Sequence, residues 1–296
     1  MQMTQFLGID CVTLENDSLS LMVTQSVGPR IISLRLNDGE NLFAELPEGT
    51  LDCPGVGKYH FYGGHRLWHA PEDPARTYLP DDKPVEIVPV ENGFKVSQQV
   101  EVQTGIEKSM HIFLPDDGPK VIIRHTLTNR GPWPVECAPW AITQFKRGGI
   151  AILPQCTQDT GVLPNRSFAV WPYTDIKDAH IQWGNRYIFV RANLESGAVK
   201  LGFPNPRGWL GYWLDGTLFA KKAGFDPTTN YYDFGSSSEC YCDHRFLELE
   251  TLAPKKSIPL NGSVSHTETW ELFEDIDFSP DETAFQALVE DLGLEQ

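Results

Sequence analysis

Residues 121–128, Val-Ile-Ile-Arg-His-Thr-Leu-Thr, put Val121, Ile123, His125 and Leu127 on one side of an extended backbone. Ile122, Arg124, Thr126 and Thr128 fall on the other. A period of two is the pattern of a strand with one buried face. Pro115-Asp116-Asp117-Gly118-Pro119 closes the run on one side and Asn129-Arg130-Gly131 on the other, both of them turn sequences. The same plan recurs along the chain. Strand patterns cover residues 19–23, 32–36, 85–90, 94–102, 106–114, 187–192, 198–202, 211–214, 218–222, 245–252 and 264–273, with turn chemistry such as Asn37-Asp38-Gly39 and Glu91-Asn92-Gly93 beside them. One segment reads as helix. Ser279-Pro280-Asp281-Glu282 offers an N-cap at Ser279, a proline at the first position and a glutamate that completes a capping box. Phe285, Leu288, Val289 and Leu292 then share one face. Many short strands and one terminal helix, at 279–293, predict an all-β, mostly antiparallel sandwich. All of 1–296 is expected to form one domain, a length that large β-sandwiches reach.

Hydrophobic residues make up 41% of the chain, enough for a sizeable core. Forty acidic against 24 basic residues give a net charge of -16. Such a surface repels nucleic-acid backbones and anionic membranes, so neither is expected as a partner. A neutral small molecule is compatible, whereas a sugar phosphate would need a local Arg or Lys cluster. The first residues lack a basic segment followed by an apolar run, and no stretch approaches ~18 apolar residues, which predicts a cytoplasmic protein. Cys11, Cys53, Cys137 and Cys156 read as isolated core thiols.

Three stretches combine aromatic and ionisable residues. In residues 61–72, Gly63-Gly64 precedes His65, Arg66, Trp68 and His69, and this segment reads as a site-wall loop. It supplies a proton donor, a fixed charge and an aromatic platform, the set that a sugar requires. The alternative is a structural loop with Trp68 in the core. His65 and His69 are four apart, but no Glu stands beside the first, and Pro71 with the two glycines leaves little room for a metal-binding helix. In residues 239–250, an extended backbone puts Cys240, Cys242 and His244 on one face, where buried thiols are the default over a metal site. Glu248 and Glu250 alternate with Leu247 and Leu249, and on a concave face one of them can act as a general base. In the last strand His266 and Glu268 read as surface residues, and His125 as a satisfied core histidine. No metal and no cofactor are expected. Nucleotide-binding and serine-hydrolase motifs are absent.

Val27-Gly28-Pro29-Arg30-Ile31-Ile32-Ser33-Leu34 with Glu40-Asn41-Leu42-Phe43, the Gly-Gly-His of residues 63–65, and Phe246-Leu247-Glu248-Leu249-Glu250-Thr251 together resemble the galactose mutarotase (aldose 1-epimerase) superfamily. The resemblance implies a galactose mutarotase-like β-supersandwich with a carbohydrate site on its concave face. It also implies anomer interconversion with His65 as the acid and Glu250 as the base. Glu248 shares that strand face and is the alternative base. Arg30 and Arg66 would orient hydroxyls, and Trp68 would stack on the sugar. The family's second histidine has no counterpart, because Thr128-Asn129-Arg130-Gly131 leads to Ala138-Pro139-Trp140-Ala141. His69 would stand in for it, or Trp140 would make the site a binding platform. The expected partner is a small-molecule carbohydrate. The expected function is aldose 1-epimerase-like isomerisation, with non-catalytic carbohydrate binding or sensing as the alternative.

Overall fold

A computed structural model describes residues 2–295. In chain order the elements are β1 (Gln2–Phe6), β2 (Ile9–Glu15), β3 (Leu19–Thr24), β4 (Arg30–Leu36), β5 (Glu45–Cys53), β6 (Gly57–Ala70), β7 (Glu86–Val90), β8 (Gly93–Ser97), β9 (Ile106–Phe113), β10 (Lys120–Asn129), β11 (Val135–Phe145), β12 (Ile150–Pro154), β13 (Ala169–Val170), β14 (Ile181–Gln182), β15 (Tyr187–Arg191), β16 (Ala198–Phe203), β17 (Trp209–Leu214), β18 (Thr217–Ala223), β19 (Ser238–Asp243), β20 (Leu247–Leu252), β21 (Lys256–Ile258), β22 (Ser263–Phe273) and the helix α1 (Glu282–Asp291). They form two large antiparallel sheets. One runs β1-β2-β3-β4-β6-β11-β20-β19-β16-β13, with β5 on β6 and β21 on β11. The other runs β14-β15-β12-β17-β18-β22-β10-β9-β8-β7.

Strand parity sorts the side chains into layers. Val121 and Ile123 of β10, Phe219 of β18, and Trp270 and Leu272 of β22 meet Leu247 and Leu249 of β20 and Phe145 of β11 in the core between the sheets. On the outer face of the second sheet, Ile152, Tyr187, Phe189, Trp209 and Leu218 pack against Phe285 and Val289 of α1. The outer face of the first sheet carries a third cluster, which includes Tyr59, Phe61, Trp68, Trp140 and Phe246.

The expected all-β architecture with one short C-terminal helix is present. Several local expectations are corrected. Residues 61–70 are not a loop but the greater part of the 14-residue strand β6. The strand bends at Tyr62-Gly63-Gly64, all three with positive φ. There it leaves β5 and begins pairing with β4 and β11. A Cβ on Gly63 would lie 1.8 Å from the Ala44 carbonyl oxygen, and one on Gly64 2.2 Å from that of Ile31. Only glycine fits two backbones this close. The helix is capped by Asp281, not Ser279; its carboxylate accepts from the Thr283 and Ala284 amides. Glu282 instead accepts from the Tyr187 amide. Finally, the strand at 239–250 is broken in two, so Cys240 and Cys242 are buried in β19 while His244 is exposed in the following turn.

Candidate functional site

Cross-strand register assembles a site on the outer face of the first sheet. Arg66, Ile142, Glu250 and Glu239 form one row across β6, β11, β20 and β19. Gln144, Glu248, Tyr241 and Lys200 form the next, across β11, β20, β19 and β16. Trp68 and Trp140 are paired on β6 and β11. Above these rows lies an open cleft of about 350 Å³, whose lining includes Arg66, Trp68, Trp140, Lys200, Tyr241 and Glu248.

Glu248 sits on the cleft floor. Its Oε1 accepts from Arg66 Nη2 at 3.0 Å and from Gln144 Nε2 at 3.0 Å. Neither of these bonds uses Oε2. Burial pushes this carboxyl up, Arg66 pulls it back, and neighbouring Glu250 raises it again, which leaves it at about 7. Arg66 lies with its guanidinium 4.2 Å from the centre of the Trp68 ring. It is 1% exposed, and its Nε and Nη1 have no hydrogen-bond partner among the described residues. A buried donor left in this state costs about 1–3 kcal/mol unless a water or a ligand meets it.

Glu250 shares the face of Glu248, as the alternation predicts, but lies in a second layer with no exposure. Its Oε2 accepts from Trp140 Nε1 at 2.7 Å and Lys200 Nζ at 3.0 Å. Lys200 also pairs with Glu239 at 2.8 Å, and its ammonium lies between the Trp140 and Trp171 rings at 4.7 and 4.6 Å. Burial pulls the lysine down, but the two carboxylates outweigh it and hold it cationic. Arg30 is on the same sheet face, opposite Arg66, yet fully buried. It donates to the Phe61 and Gly63 carbonyls and pairs with Asp81 at 2.8 Å, bracing the bend of β6 and not lining the cleft.

His65 and His69 project from the opposite face of β6. His69 is buried with Nε2 3.6 Å from Glu101. His65 is sealed between the sheets in a polar network whose proton positions follow from donor and acceptor chemistry. The His266 carbonyl can only accept, so His125 carries its proton on Nδ1. His125 Nε2 is then the acceptor of the 2.7 Å contact from His65 Nε2–H. His65 Nδ1 accepts from Thr143 Oγ1 at 2.9 Å, and that hydroxyl in turn accepts from Lys221 Nζ at 3.0 Å. Lys221 pairs with Glu268 at 2.9 Å. Thr251 donates to Glu268, so His266 Nε2 donates to Thr251 at 2.7 Å. His266 and Glu268 are therefore core residues, not the surface residues that the alternation suggested; their face of β22 is the one that carries Trp270 and Leu272 inward. His65, His125 and Glu268 have ligand atoms within 4.8 Å of one another. Each of the two Nε2 atoms is already committed to the other, and the Lys221 ammonium neutralises the carboxylate, so this donor set does not suit a cation.

Four of the residues singled out in the sequence thus meet at the cleft: Arg66, Trp68, Trp140 and Glu248. Lys200, Tyr241, Trp171 and Tyr173 also line it and were not foreseen. Neither a protein-family model nor a curated protein matches the sequence. Solved structures do resemble the fold. A galactose mutarotase-like protein from Lactobacillus casei ATCC 334 superposes with a TM-score of 0.59 at 12% identity, over 89% of this chain and 100% of that one. The fold is galactose mutarotase-like. A candidate aldose 1-epimerase from Escherichia coli K12 gives 0.52 at 11% identity, over 92% of this chain and 100% of that one. A TPR-domain containing protein from Parabacteroides distasonis ATCC 8503 gives 0.63 at 12% identity, over 92% of this chain but 48% of that one. In this mutarotase-like supersandwich the cleft lies on the outer face of the twelve-stranded sheet, away from the core between the sheets.

Proposed function

We propose that the cleft binds a carbohydrate and interconverts its anomers, with Glu248 as the base. The observation that carries this is the Arg66–Glu248 pair on the cleft floor. It offers an unpartnered guanidinium N–H beside a carboxylate whose Oε2 takes no part in the Arg66 and Gln144 bonds. A donor next to an acceptor, flanked by Trp68 and Trp140, matches the hydroxyls and the C–H face of a sugar ring. Glu248, at about 7, is poised to take the anomeric hydroxyl proton near neutral pH. The C1–O5 bond then breaks as a water in the open cleft gives a proton to the ring oxygen; Tyr241, the cross-strand partner of Glu248, donates its hydroxyl to Asp243 at 3.2 Å and is held protonated by burial and that carboxylate. Rotation of the aldehyde and reclosure give either anomer. Glu250, Lys200 and Glu239 form the charged layer that fixes Trp140 and the floor.

Non-catalytic carbohydrate binding is the second reading, and one observation favours it. Among the described residues none of the eight histidines lines the cleft, so the usual imidazole acid has no counterpart there. Saturation-transfer NMR on a panel of aldoses separates the two. The catalytic reading expects accelerated anomer exchange that falls about 10²–10⁴-fold in Glu248→Gln. Binding without acceleration for every sugar would leave only the second reading. Binding of none would remove both.

A further inference from the structure

The floor of the cleft and its mouth are built differently. Arg66, Trp68, Trp140 and Lys200 on the floor are each less than a tenth exposed. At the mouth, Trp171 and Tyr241 are partly exposed and Tyr173 is 50% exposed. Tyr173 is not on a loose loop. The Thr174 amide donates to the Trp171 carbonyl at 2.9 Å. Thr174 Oγ1 both donates to the Lys200 carbonyl at 3.2 Å and accepts from the Lys200 amide at 2.8 Å. This turn is therefore pinned to β16. Trp171 approaches over Gly202, where a Cβ would lie 3.2 Å from the indole and 2.5 Å from Ser236 Oγ. The Tyr173 ring meets that of Tyr241 edge-on, with centroids 6.4 Å apart.

A rigid turn that holds an aromatic ring half in water, at the rim of a cleft with an aromatic floor, forms a second stacking platform. A single pyranose has only two faces, and the floor rings with Arg66 already meet one ring. A cleft of about 350 Å³ also leaves room beyond it.

We infer that the ligand is a reducing saccharide of at least two units, its free anomeric end on the Arg66–Glu248 floor and its next ring on Tyr173. This rests on the proposed carbohydrate reading. Glu248 acts on an anomeric hydroxyl, so the innermost ring must have that hydroxyl free, and the second ring is joined through another of its oxygens.

The test is calorimetric titration of the full chain with glucose, galactose, cellobiose, maltose, lactose and isomaltose, for wild type and Tyr173→Ala. At least one disaccharide should bind about tenfold more tightly than its monosaccharides, the worth of one extra stacked ring. Tyr173→Ala should erase that advantage and leave monosaccharide affinity unchanged. Tyr173 is half exposed, so the variant is expected to fold, and its thermal transition checks this. Equal affinity for mono- and disaccharides, or an equal loss for both in Tyr173→Ala, overturns the two-ring inference while the carbohydrate reading stands. If no saccharide binds, the carbohydrate reading falls with it.

Discussion

Glu248 and Glu250 are two residues apart, face the same way and sit in different environments. Glu250 is locked under Trp140 and Lys200. Glu248 reaches the cleft with a carboxyl raised to about 7. A base works only when ionised, so anomer exchange should rise as pH increases through about 7 and then level off, which rates measured from pH 5 to 9 would show. A flat profile over that range would remove Glu248 from the role. The face shared by the two glutamates was legible in the sequence, because Leu247 and Leu249 mark the core side. Which of them meets the cleft was not legible: that depends on Lys200, a residue of a distant strand whose local pattern, Val199-Lys200-Leu201, carries no sign of a site. The aromatic and basic character of residues 66–68 was equally plain, yet reading the segment as a loop hid its parity. As a strand, β6 must send Arg66 and Trp68 to one face and His65 to the other.

At the scale of elements, the polar network that contains His65 joins β6 and β11 of one sheet to β10, β18 and β22 of the other. Lys221 extends it by donating to the Ala141 and Leu249 carbonyls, directly behind the strands that carry the cleft floor. Burial is the largest influence on both His125 and His266 and holds each at about 4. In the unfolded chain the same imidazoles titrate near 6.5, so between about 6.5 and 4 the unfolded state binds more protons. These two histidines should therefore withdraw stability as pH drops through that window, by about 1.4 kcal/mol per pH unit each at the steepest part, while Glu248, raised to about 7, contributes in the opposite sense. Titration of the histidine ring signals by NMR from about pH 7 to 4.5 isolates the histidine part. His125 and His266 signals that titrate near 6.5 in the folded protein would contradict the neutral, proton-ordered network. Sequence could supply His125 as an inward residue but not its partners, His65 of β6 and His266 of β22, which are 60 and 141 residues away along the chain.

Across the whole molecule, period-two patterning and turn chemistry carried the architecture, because they are local and repeat along the chain. They did not carry the long strand β6 or the pairings of β11, whose faces are both buried and so lack the alternation of a half-exposed strand. The resulting order is a helix on the outer face of one sheet, a shared core, and a second sheet whose outer face bears the cleft. The net charge is -16, yet Arg66, Lys200 and Arg245 of the cleft lining are each paired with a carboxylate, an arrangement suited to a neutral, hydroxyl-rich ligand. The proposed function requires this cleft to receive a sugar on the Arg66–Glu248 floor. A crystal structure of the protein soaked with a reducing sugar tests it most directly. A pyranose is expected across the contacting Trp68–Trp140 pair, whose ring centroids are 5.3 Å apart, with a hydroxyl within hydrogen-bond distance of Glu248 Oε2 and of Arg66 Nη1. A sugar bound elsewhere with the floor empty, or none bound at saturating concentration, would contradict it.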